Sequence, residues 1–324
     1  MTRRRAPEEL FDAARQGYRA ALALALSFVE LGGEPARMLA RLAAPHAGDA
    51  YTVGVTGAPG GGKSTLVSAV IGHLRSLDIQ PAVLAIDPSS PFSGGAILGD
   101  RVRMQDHATD PGVFIRSMAS RGHLGGLALA TPEAIRLLDA VGKCWILVET
   151  VGVGQVEVEV AARADTTVVV VTPGWGDSVQ ANKAGLMEIA DVFVINKADR
   201  PGVDETRRDL AQMLDLSDLP SDAWRPPIVP AVASSPTGVP ETWDAVLAHR
   251  QHAEASGVLE RRRAHRSEDE LRQILARRIE EIAKDIATGE RWDELTGSVI
   301  AGRLDPWSAA DEMLLGVTSA GDVG

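Results

Sequence analysis

Two short strings of residues contain glycines and polar side chains at spacings that suit ligand binding and catalysis. The first, Gly57-Ala58-Pro59-Gly60-Gly61-Gly62-Lys63-Ser64-Thr65, fits the pattern G-x-x-x-x-G-K-[ST] in full. Glycines let backbone N–H groups turn towards phosphate oxygens, and a helix that begins at the lysine directs its positive end to the same place. In this pattern the lysine reaches the β- and γ-phosphates and the next hydroxyl binds Mg²⁺. A structural turn would explain the glycines but not Lys63-Ser64, so the string predicts a phosphate-binding loop.

The second string, Asn196-Lys197-Ala198-Asp199, fits N-K-x-D and concerns the base. The carboxylate of Asp199 can accept hydrogen bonds from the ring N1–H and the exocyclic amine of guanine, a pair of donors that adenine does not offer. Lys197 is expected to lie along the base plane. An asparagine that caps a helix after a strand is the alternative for the tetrapeptide alone. Its place downstream of a phosphate loop favours GTP over ATP.

Three acidic residues lie where a metal–phosphate site is expected. Asp87 ends the apolar run 83–86, Glu149 ends the run 145–148, and Asp100 ends the loop 89–99. In open α/β sheets ligands bind at the carboxyl ends of the strands, which favours Asp87 and Glu149. Mg²⁺ binds few carboxylates and keeps several waters, so not all three are expected to bind it directly. A surface acid or a helix cap is the alternative for each.

Several loops near these residues have the composition of segments that change shape. Residues 89–100 and 151–155 are rich in Gly and Ser, as in loops that respond to the loss of a γ-phosphate. Residues 173–177 indicate either another such loop or a capped helix start, with Lys183 downstream of it. The sequence also places His107 and His123 in loops near the expected site, where we interpret them as ordinary surface histidines.

Apolar runs alternate with helical patterns and define the scaffold for these residues. The runs that predict strands are 51–56, 82–86, 113–115, 145–148, 166–171, 192–195 and 228–232. They are apolar on both faces, which is typical of parallel strands covered by helices on both sides. We predict an α/β fold with a doubly wound, mostly parallel sheet in residues 48–250. A helical segment in residues 1–47, broken at Gly32-Gly33, precedes it, and a helical extension in residues 251–324 follows it.

Composition and charge narrow the class of protein. The net charge is −11 and no long basic tract occurs, so binding to nucleic acid is not expected. The apolar run 20–29 is about half of what a membrane span needs, so no membrane segment is expected. Cys144 is the only cysteine and falls in an apolar run. We interpret it as a buried strand thiol, which favours a reducing, cytoplasmic setting.

The C-terminal region is helical and charged. Arg261-Arg262-Arg263 and Arg266 are followed at once by acidic residues and are interpreted as a solvated helix face. Further along, apolar residues recur at helical spacing, namely Leu271, Ile274, Leu275, Ile282 and Ile286. Such a stripe is expected to be buried, either against the same domain or against a second copy of the chain.

Longer strings of residues resemble the MeaB/ArgK family of P-loop G proteins, and the resemblance covers nearly the whole chain. The strings are Asp87-Pro88-Ser89-Ser90, Ser93-Gly94-Gly95-Ala96-Ile97-Leu98-Gly99-Asp100-Arg101, Ile115-Arg116, Gly122-His123-Leu124-Gly125-Gly126, Glu149-Thr150-Val151-Gly152-Val153-Gly154-Gln155, residues 173–185 and Glu188-Ile189-Ala190-Asp191. The resemblance implies a GTPase of the dimer-forming class related to the signal-recognition and nitrogenase-iron-protein NTPases, a SIMIBI-like G domain.

The resemblance also implies a partner and roles for particular residues. Members of the family chaperone adenosylcobalamin-dependent acyl-CoA mutases, chiefly methylmalonyl-CoA mutase, and gate cofactor loading and exchange. Isobutyryl-, ethylmalonyl- and 2-hydroxyisobutyryl-CoA mutases are equally compatible clients, and cobalamin adenosyltransferase is a further candidate partner. The implied assembly is a homodimer held partly by C-terminal helices. The implied metal ligands are Ser64, Asp87, Asp100 and Glu149, and the implied catalytic residues are Lys63, Asp87, Glu149 and Lys183.

The sequence departs from the family pattern at two places. Val156 stands where a small or polar residue is usual, and Val232-Ala233 stands where the guanine loop usually has Ser-Ala. Ala233 is still expected to contact guanine through its backbone N–H, whereas Val232 cannot supply a side-chain hydrogen bond.

Other classes of function predict different features. A small-molecule kinase or transport ATPase would use ATP and need an acceptor pocket. A metal-insertion GTPase usually carries His- or Cys-rich segments, which this sequence lacks. A scaffold that binds GTP without turnover is the third alternative. No side chain stands out as the group that orients the attacking water, so we expect slow intrinsic hydrolysis that a partner accelerates.

Overall fold

The computed structural model describes residues 6–88, 104–120, 124–150, 163–174, 187–216 and 223–320, and a seven-stranded sheet forms its centre. The strands are β1 (Tyr51–Gly57), β2 (Ala82–Pro88), β3 (Phe114–Ser120), β4 (Trp145–Thr150), β5 (Thr166–Val171), β6 (Val192–Asn196) and β7 (Ile228–Ala231). Their order is β3-β2-β4-β1-β5-β6-β7, and every neighbouring pair is parallel. The predicted α/β class is confirmed, and each predicted apolar run forms a strand.

Helices precede, cover and follow this sheet. They are α1 (Pro7–Arg15), α2 (Arg19–Leu31), α3 (Gly33–Ala43), α4 (Lys63–Ser76), α5 (Gln105–Ala108), α6 (Leu124–Ala140), α7 (Val203–Asp215), α8 (Val239–Ala255), α9 (Val258–Ile286), α10 (Glu290–Ile300) and α11 (Pro306–Ala320). The chain forms two compact units, Met1–Arg266 and Ser267–Gly324. The boundaries expected at residues 47/48 and 250/251 stay predictions.

Both faces of the sheet are buried, which explains why its strands are apolar throughout. In β5, Val168 and Val170 belong to an apolar cluster with residues of α4 and α8. Val169 and Val171 point to the opposite face and join a cluster with residues of α7. Successive side chains of a strand point to opposite faces, so only an uninterrupted apolar run satisfies both layers.

The N-terminal helices cover the β2–β3–β4 part of one face. Their buried residues share a cluster with Leu84 of β2 and Ile146 of β4. The predicted break at Gly32-Gly33 is present, with Gly32 at φ 72°. A second break, at Gly17 with φ 90°, separates α1 from α2 and was not predicted.

The arginines at the start of α9 are bound to buried carboxylates, so the predicted solvated helix face is wrong for three of them. Asp165 precedes β5 and accepts hydrogen bonds from Arg263 at 2.7 and 3.1 Å and from Arg266. Asp191 precedes β6 and accepts two from Arg262, each at 3.0 Å. The two aspartate side chains are only 2% and 5% exposed. Buried carboxylates need such partners, and these lie far away in sequence.

Cys144 is exposed, so the predicted buried strand thiol is also wrong. The residue lies immediately before β4, and its carbonyl accepts a hydrogen bond from the N–H of Tyr51 at 2.9 Å. The apolar run predicted the strand correctly, but Cys144, the first residue of the run, lies outside β4 and is exposed.

The second unit exposes much apolar surface. On α9 the side chains of Leu271, Leu275 and Ile282 are 67%, 58% and 48% exposed. The end of α9, α10 and α11 also line a hollow of about 500 Å³ that includes Trp292 and Leu295. Across the described part of the chain, no helix combines the length and the hydropathy that a membrane span requires.

We expect acid to remove the stabilisation that Asp165 contributes. Burial raises the pKa of this carboxyl, but the hydrogen bonds and charges of Arg263 and Arg266 outweigh burial and hold it below its ordinary value. A lowered pKa stabilises the fold above the unfolded pKa of about 4, and the effect is lost as pH falls through the folded pKa. Asp165→Asn should therefore lower the free energy of unfolding by about 3 kcal/mol at neutral pH, because two arginines lose their countercharge.

Urea titrations from neutral pH to below about pH 4 measure this effect. The difference between Asp165→Asn and the wild type should shrink as Asp165 becomes protonated. The matched control is Asp244→Asn, an exposed aspartate on α8, which should behave as the wild type throughout. A difference that stays constant over the whole range would contradict the assignment.

Candidate functional site

The loop between β1 and α4 is shaped by glycines in backbone conformations that other residues rarely adopt. Gly57, Gly60 and Gly62 have φ of 140°, 74° and 86°, which L side chains rarely adopt. A Cβ on Gly57 would overlap the carbonyl oxygen of Val170, and one on Gly62 would overlap the side-chain amide of Asn196. The loop therefore combines left-handed backbone with close approach to the ends of β5 and β6.

Lys63 and Ser64 begin the helix that follows this loop. The Nζ atom of Lys63 donates to the carbonyls of Gly57 at 2.7 Å and Ala58 at 3.3 Å, so the amine lies over the loop. The Ser64 hydroxyl donates to Oε1 of Glu149 at 2.5 Å. Glu149 is fully buried near the end of β4. The predicted hydroxyl and one predicted carboxylate are thus in direct contact.

Asn196 connects the loop to the N-K-x-D string. Its Nδ2 donates to the carbonyl of Gly61 at 2.8 Å. Its Oδ1 accepts from the backbone N–H groups of Lys197 at 2.9 Å and Ala233 at 3.0 Å. One buried side chain therefore joins three loops, at the ends of β1, β6 and β7. The sequence interpretation assigned Asn196 to nucleotide binding and did not foresee these bonds.

The rest of the N-K-x-D string turns sharply after β6. Lys197 has φ 61°, which is unusual for a residue other than glycine, and its Nζ donates to the carbonyl of Gly60 at 2.7 Å. Ala198 donates its N–H to the carbonyl of Ala231 at 3.0 Å. Asp199 is exposed in this turn. The carboxylate is therefore open to a ligand that lies beside Lys197.

The other predicted site residues divide into those that the structure brings together and those outside the described residues. Ala58, Pro59 and Thr65 lie in the loop and the first turn of α4, with Pro59 and Thr65 exposed. The backbone of Asp87 lies in β2, which is two strands from β1. Asp100 and Lys183 lie outside the described residues. Within the described part of the chain no cluster of three or more His, Cys, Asp or Glu side chains is arranged to hold a metal ion.

Comparison with known proteins identifies relatives along most of the chain. The family described as methylmalonyl-CoA mutase-associated GTPase MeaB matches residues 22–288. A Pyrococcus abyssi protein named as a GTPase is 50% identical over 97% of this chain and 98% of its own length. The GTPase ArgK of Escherichia coli is 38% identical over 86% of each chain.

A solved structure supports the same relationship. The crystal structure of a LAO/AO transport system kinase is 28% identical, with a TM-score of 0.71 over 98% of this chain and 99% of that one. The fold is therefore that of a P-loop NTPase, and the Pyrococcus abyssi and Escherichia coli relatives are named as GTPases. From the match over residues 22–288 we conclude that this chain belongs to the MeaB family of methylmalonyl-CoA mutase-associated GTPases.

Proposed function

We propose that this GTPase binds GTP with Mg²⁺ at the loop 57–65 and acts as the chaperone of an adenosylcobalamin-dependent acyl-CoA mutase. The observation that carries the nucleotide part is the junction at Asn196, which joins the glycine loop to the N-K-x-D turn. The single cysteine is in keeping with a reducing, cytoplasmic setting.

The shape and polarity of the loop fit a polyphosphate. Left-handed glycines at positions 57, 60 and 62 leave backbone groups uncovered by side chains. The start of α4 adds the positive end of its dipole. The amine of Lys63 rests on loop carbonyls and is close enough to exchange them for phosphate oxygens. We assign phosphate contacts to residues 57–65 on this basis.

The donor set beside Lys63 fits a magnesium ion. The Ser64 hydroxyl and the Glu149 carboxylate are oxygen ligands of the kind that Mg²⁺ prefers, and they already touch each other at 2.5 Å. We propose that Ser64 binds the metal and that Glu149 binds it directly or through water. Asp87 and Asp100 are proposed as further carboxylates of this site, and Lys183 as a cation supplied by its loop.

Hydrolysis at such a site depends on position and charge. Mg²⁺ held by Ser64 and Glu149 would supply positive charge to offset that of the phosphate oxygens. Lys63 holds the transferred phosphate in place, and the loop N–H groups stabilise the charge that spreads over its oxygens. Because the described residues offer no obvious group to orient the attacking water, we expect the partner to accelerate a slow intrinsic reaction.

We expect Asp199→Asn to change the base preference. The carboxylate is proposed to accept hydrogen bonds from N1–H and the exocyclic amine of guanine, while an amide can donate to the carbonyl that xanthine carries instead. Affinity for GDP should fall by roughly a hundredfold, since two charge-assisted hydrogen bonds are lost, and affinity for xanthosine diphosphate should rise. Calorimetric titration with both nucleotides measures the switch.

The same substitution at Asp204 is the matched control. Asp204 is exposed in the first turn of α7, shortly after the N-K-x-D turn. Asp204→Asn should bind both nucleotides as the wild type does. Guanine preference that survives in Asp199→Asn would refute the assignment of the base site. Equal affinity of the wild type for ATP would favour the kinase or transport ATPase alternative.

The mutase part of the proposal is supported by the family description, which names methylmalonyl-CoA mutase. Cobalamin adenosyltransferase is the second partner that we propose, because it would supply the cofactor to be loaded. Hydrolysis then acts as a timer that separates loading from release.

We expect GTP hydrolysis to be strongly stimulated by an adenosylcobalamin-dependent mutase from the same source. Release of phosphate is measured with this protein alone, with the mutase alone and with the two proteins together. Lys63→Ala should abolish hydrolysis in every mixture, which assigns the activity to this site. If GTP binds tightly but no such mutase changes the rate, the chaperone role is excluded while the nucleotide assignment stands.

We also propose a homodimer formed through the helical extension. The support is the stripe of exposed apolar side chains on α9, at Leu271, Leu275 and Ile282. Soluble proteins seldom expose contiguous apolar surface unless another molecule covers it.

Replacing two apolar residues of this stripe by glutamate should separate the dimer. We expect the variant Leu275→Glu with Ile282→Glu to sediment as a monomer, because two buried charges at an apolar interface cost more than the contact gains. The control is Ala276→Glu, an exposed position next to the stripe on α9, which should sediment as the wild type. A double variant that remains dimeric would refute the proposed interface.

A further inference from the structure

The loop that follows β7 is closed by its own hydrogen bonds. The N–H of Val232 donates to the carbonyl of Thr237 at 3.0 Å, and the N–H of Ser235 donates back to the carbonyl of Val232 at 2.8 Å. The Ser235 hydroxyl donates to the same Val232 carbonyl at 3.2 Å. Gly238 ends the loop with φ 75°, and a Cβ there would overlap the carbonyl oxygen of Pro230. The loop therefore owes its shape to contacts within itself and with the end of β7.

Two hydrogen bonds attach this loop to the N-K-x-D turn. The N–H of Ala198 donates to the carbonyl of Ala231 at 3.0 Å, and the N–H of Ala233 donates to Oδ1 of Asn196 at 3.0 Å. Asn196 and Ala233 are only 2% and 9% exposed. A backbone N–H has a single proton to donate. Guanine could therefore use the N–H of Ala233 only by breaking its bond to Asn196.

Ser234 is the next residue and occupies the apex of the loop. The bond from Ser235 to Val232 closes a four-residue turn. Its two central residues, Ala233 and Ser234, both have negative φ, which is the pattern of a type I turn. Successive N–H groups of such helix-like backbone point to the same side, as in the first turn of a helix. The N–H of Ser234 therefore points to the side on which Ala233 contacts Asn196. Ser234 is exposed, and its N–H makes no hydrogen bond to any other described residue.

We infer that the backbone N–H of Ser234, rather than that of Ala233, donates to the carbonyl oxygen of guanine. The inference rests on the proposed function, in which Asp199 accepts hydrogen bonds from N1–H and the exocyclic amine of the base. The carbonyl oxygen is the remaining polar atom beside N1–H on that edge of guanine. Adenine carries an amine at the same ring position, which would face the N–H as a second donor, so this contact disfavours ATP independently of Asp199. Asn196 keeps its bond from Ala233, so binding of the base leaves the junction with the glycine loop intact.

The contact can be isolated by changing both of its partners. In 6-thioguanosine diphosphate a sulfur atom, which is a weaker acceptor, replaces the carbonyl oxygen. In a buffer without Mg²⁺ we expect the wild type to bind GDP about fivefold more tightly than this analogue, the factor for one hydrogen bond. Ser234→Pro has no N–H at this position, so it should bind the two ligands with nearly equal affinity. Ser234→Ala is the matched control, since it keeps the N–H and should retain the ratio of the wild type.

The variant Ala233→Pro makes the opposite prediction. Proline suits the first central position of a type I turn, so this variant loses the N–H that donates to Asn196 while the turn stays in place. Both ligands should bind it more weakly by the same factor, because the junction at Asn196 positions the glycine loop and the two ligands share the same phosphates. The ratio of the two affinities should therefore remain that of the wild type. Calorimetric titration of the full-length variants with each nucleotide measures these ratios.

The two proline variants separate the two candidate donors. A ratio that disappears in Ala233→Pro and remains in Ser234→Pro would overturn the inference and assign the contact to Ala233. Loss of the ratio in Ser234→Ala would also overturn it, because the hydroxyl rather than the N–H would then be the donor. If Ser234→Pro binds neither ligand, Ala233→Pro decides, since a retained ratio supports Ser234 and a lost ratio excludes it.

Failure of the proposed function gives a different result. A wild type that binds ADP as tightly as GDP, or binds neither, would overturn the proposed base site and the inference with it. A wild type that prefers GDP to ADP, but binds the thio analogue as tightly as GDP, would overturn only the role of Ser234.

Discussion

The side chain of Asn196 holds together the two halves of the proposed nucleotide site. Its amide donates to a carbonyl of the glycine loop while its oxygen receives N–H groups from two further loops. Neither a shorter nor a charged side chain offers the same combination of donor and acceptor at this distance. Because Gly62 has no Cβ, Asn196 can approach the loop closely enough to make these bonds. These bonds therefore fix the position of the phosphate loop relative to the N-K-x-D turn.

The two ends of the sheet use polar residues in opposite ways. At the carboxyl ends of the strands, Lys63 and Ser64 have contacts that a ligand can replace, and Asp199 is exposed. At the amino ends, Asp165 and Asp191 are buried and fully engaged by three arginines of α9 and by backbone N–H groups. His249 adds a contact at 3.1 Å to Asp191, with its other ring nitrogen 2.7 Å from Thr166. Contacts at the carboxyl end of the sheet can therefore be exchanged for those of a ligand, whereas contacts at the amino end are a fixed part of the fold.

Sequence patterns predicted the features that depend on local spacing. The strands could be found because burial on both faces requires continuous apolar runs, and the phosphate loop because its glycines and Lys63-Ser64 are adjacent in sequence. Contacts between distant residues were not predictable in this way. The partners of Arg263 and His107, which are Asp165 and the carbonyl of Ser68, lie in other elements, so the first appeared to be a solvated charge and the second a surface histidine.

The exposed Cys144 provides a thiol for chemical labelling at a defined position. It lies before the first residue of β4, whereas Glu149 lies near the last, so about 15 Å of extended strand separates the thiol from the proposed metal site. Because no other cysteine occurs in the sequence, a thiol-reactive dye would attach at one position without mutagenesis. Such a dye would sit at the end of the strand opposite the nucleotide, where it would not compete with GTP. The native chain is therefore ready for fluorescence measurements of partner binding.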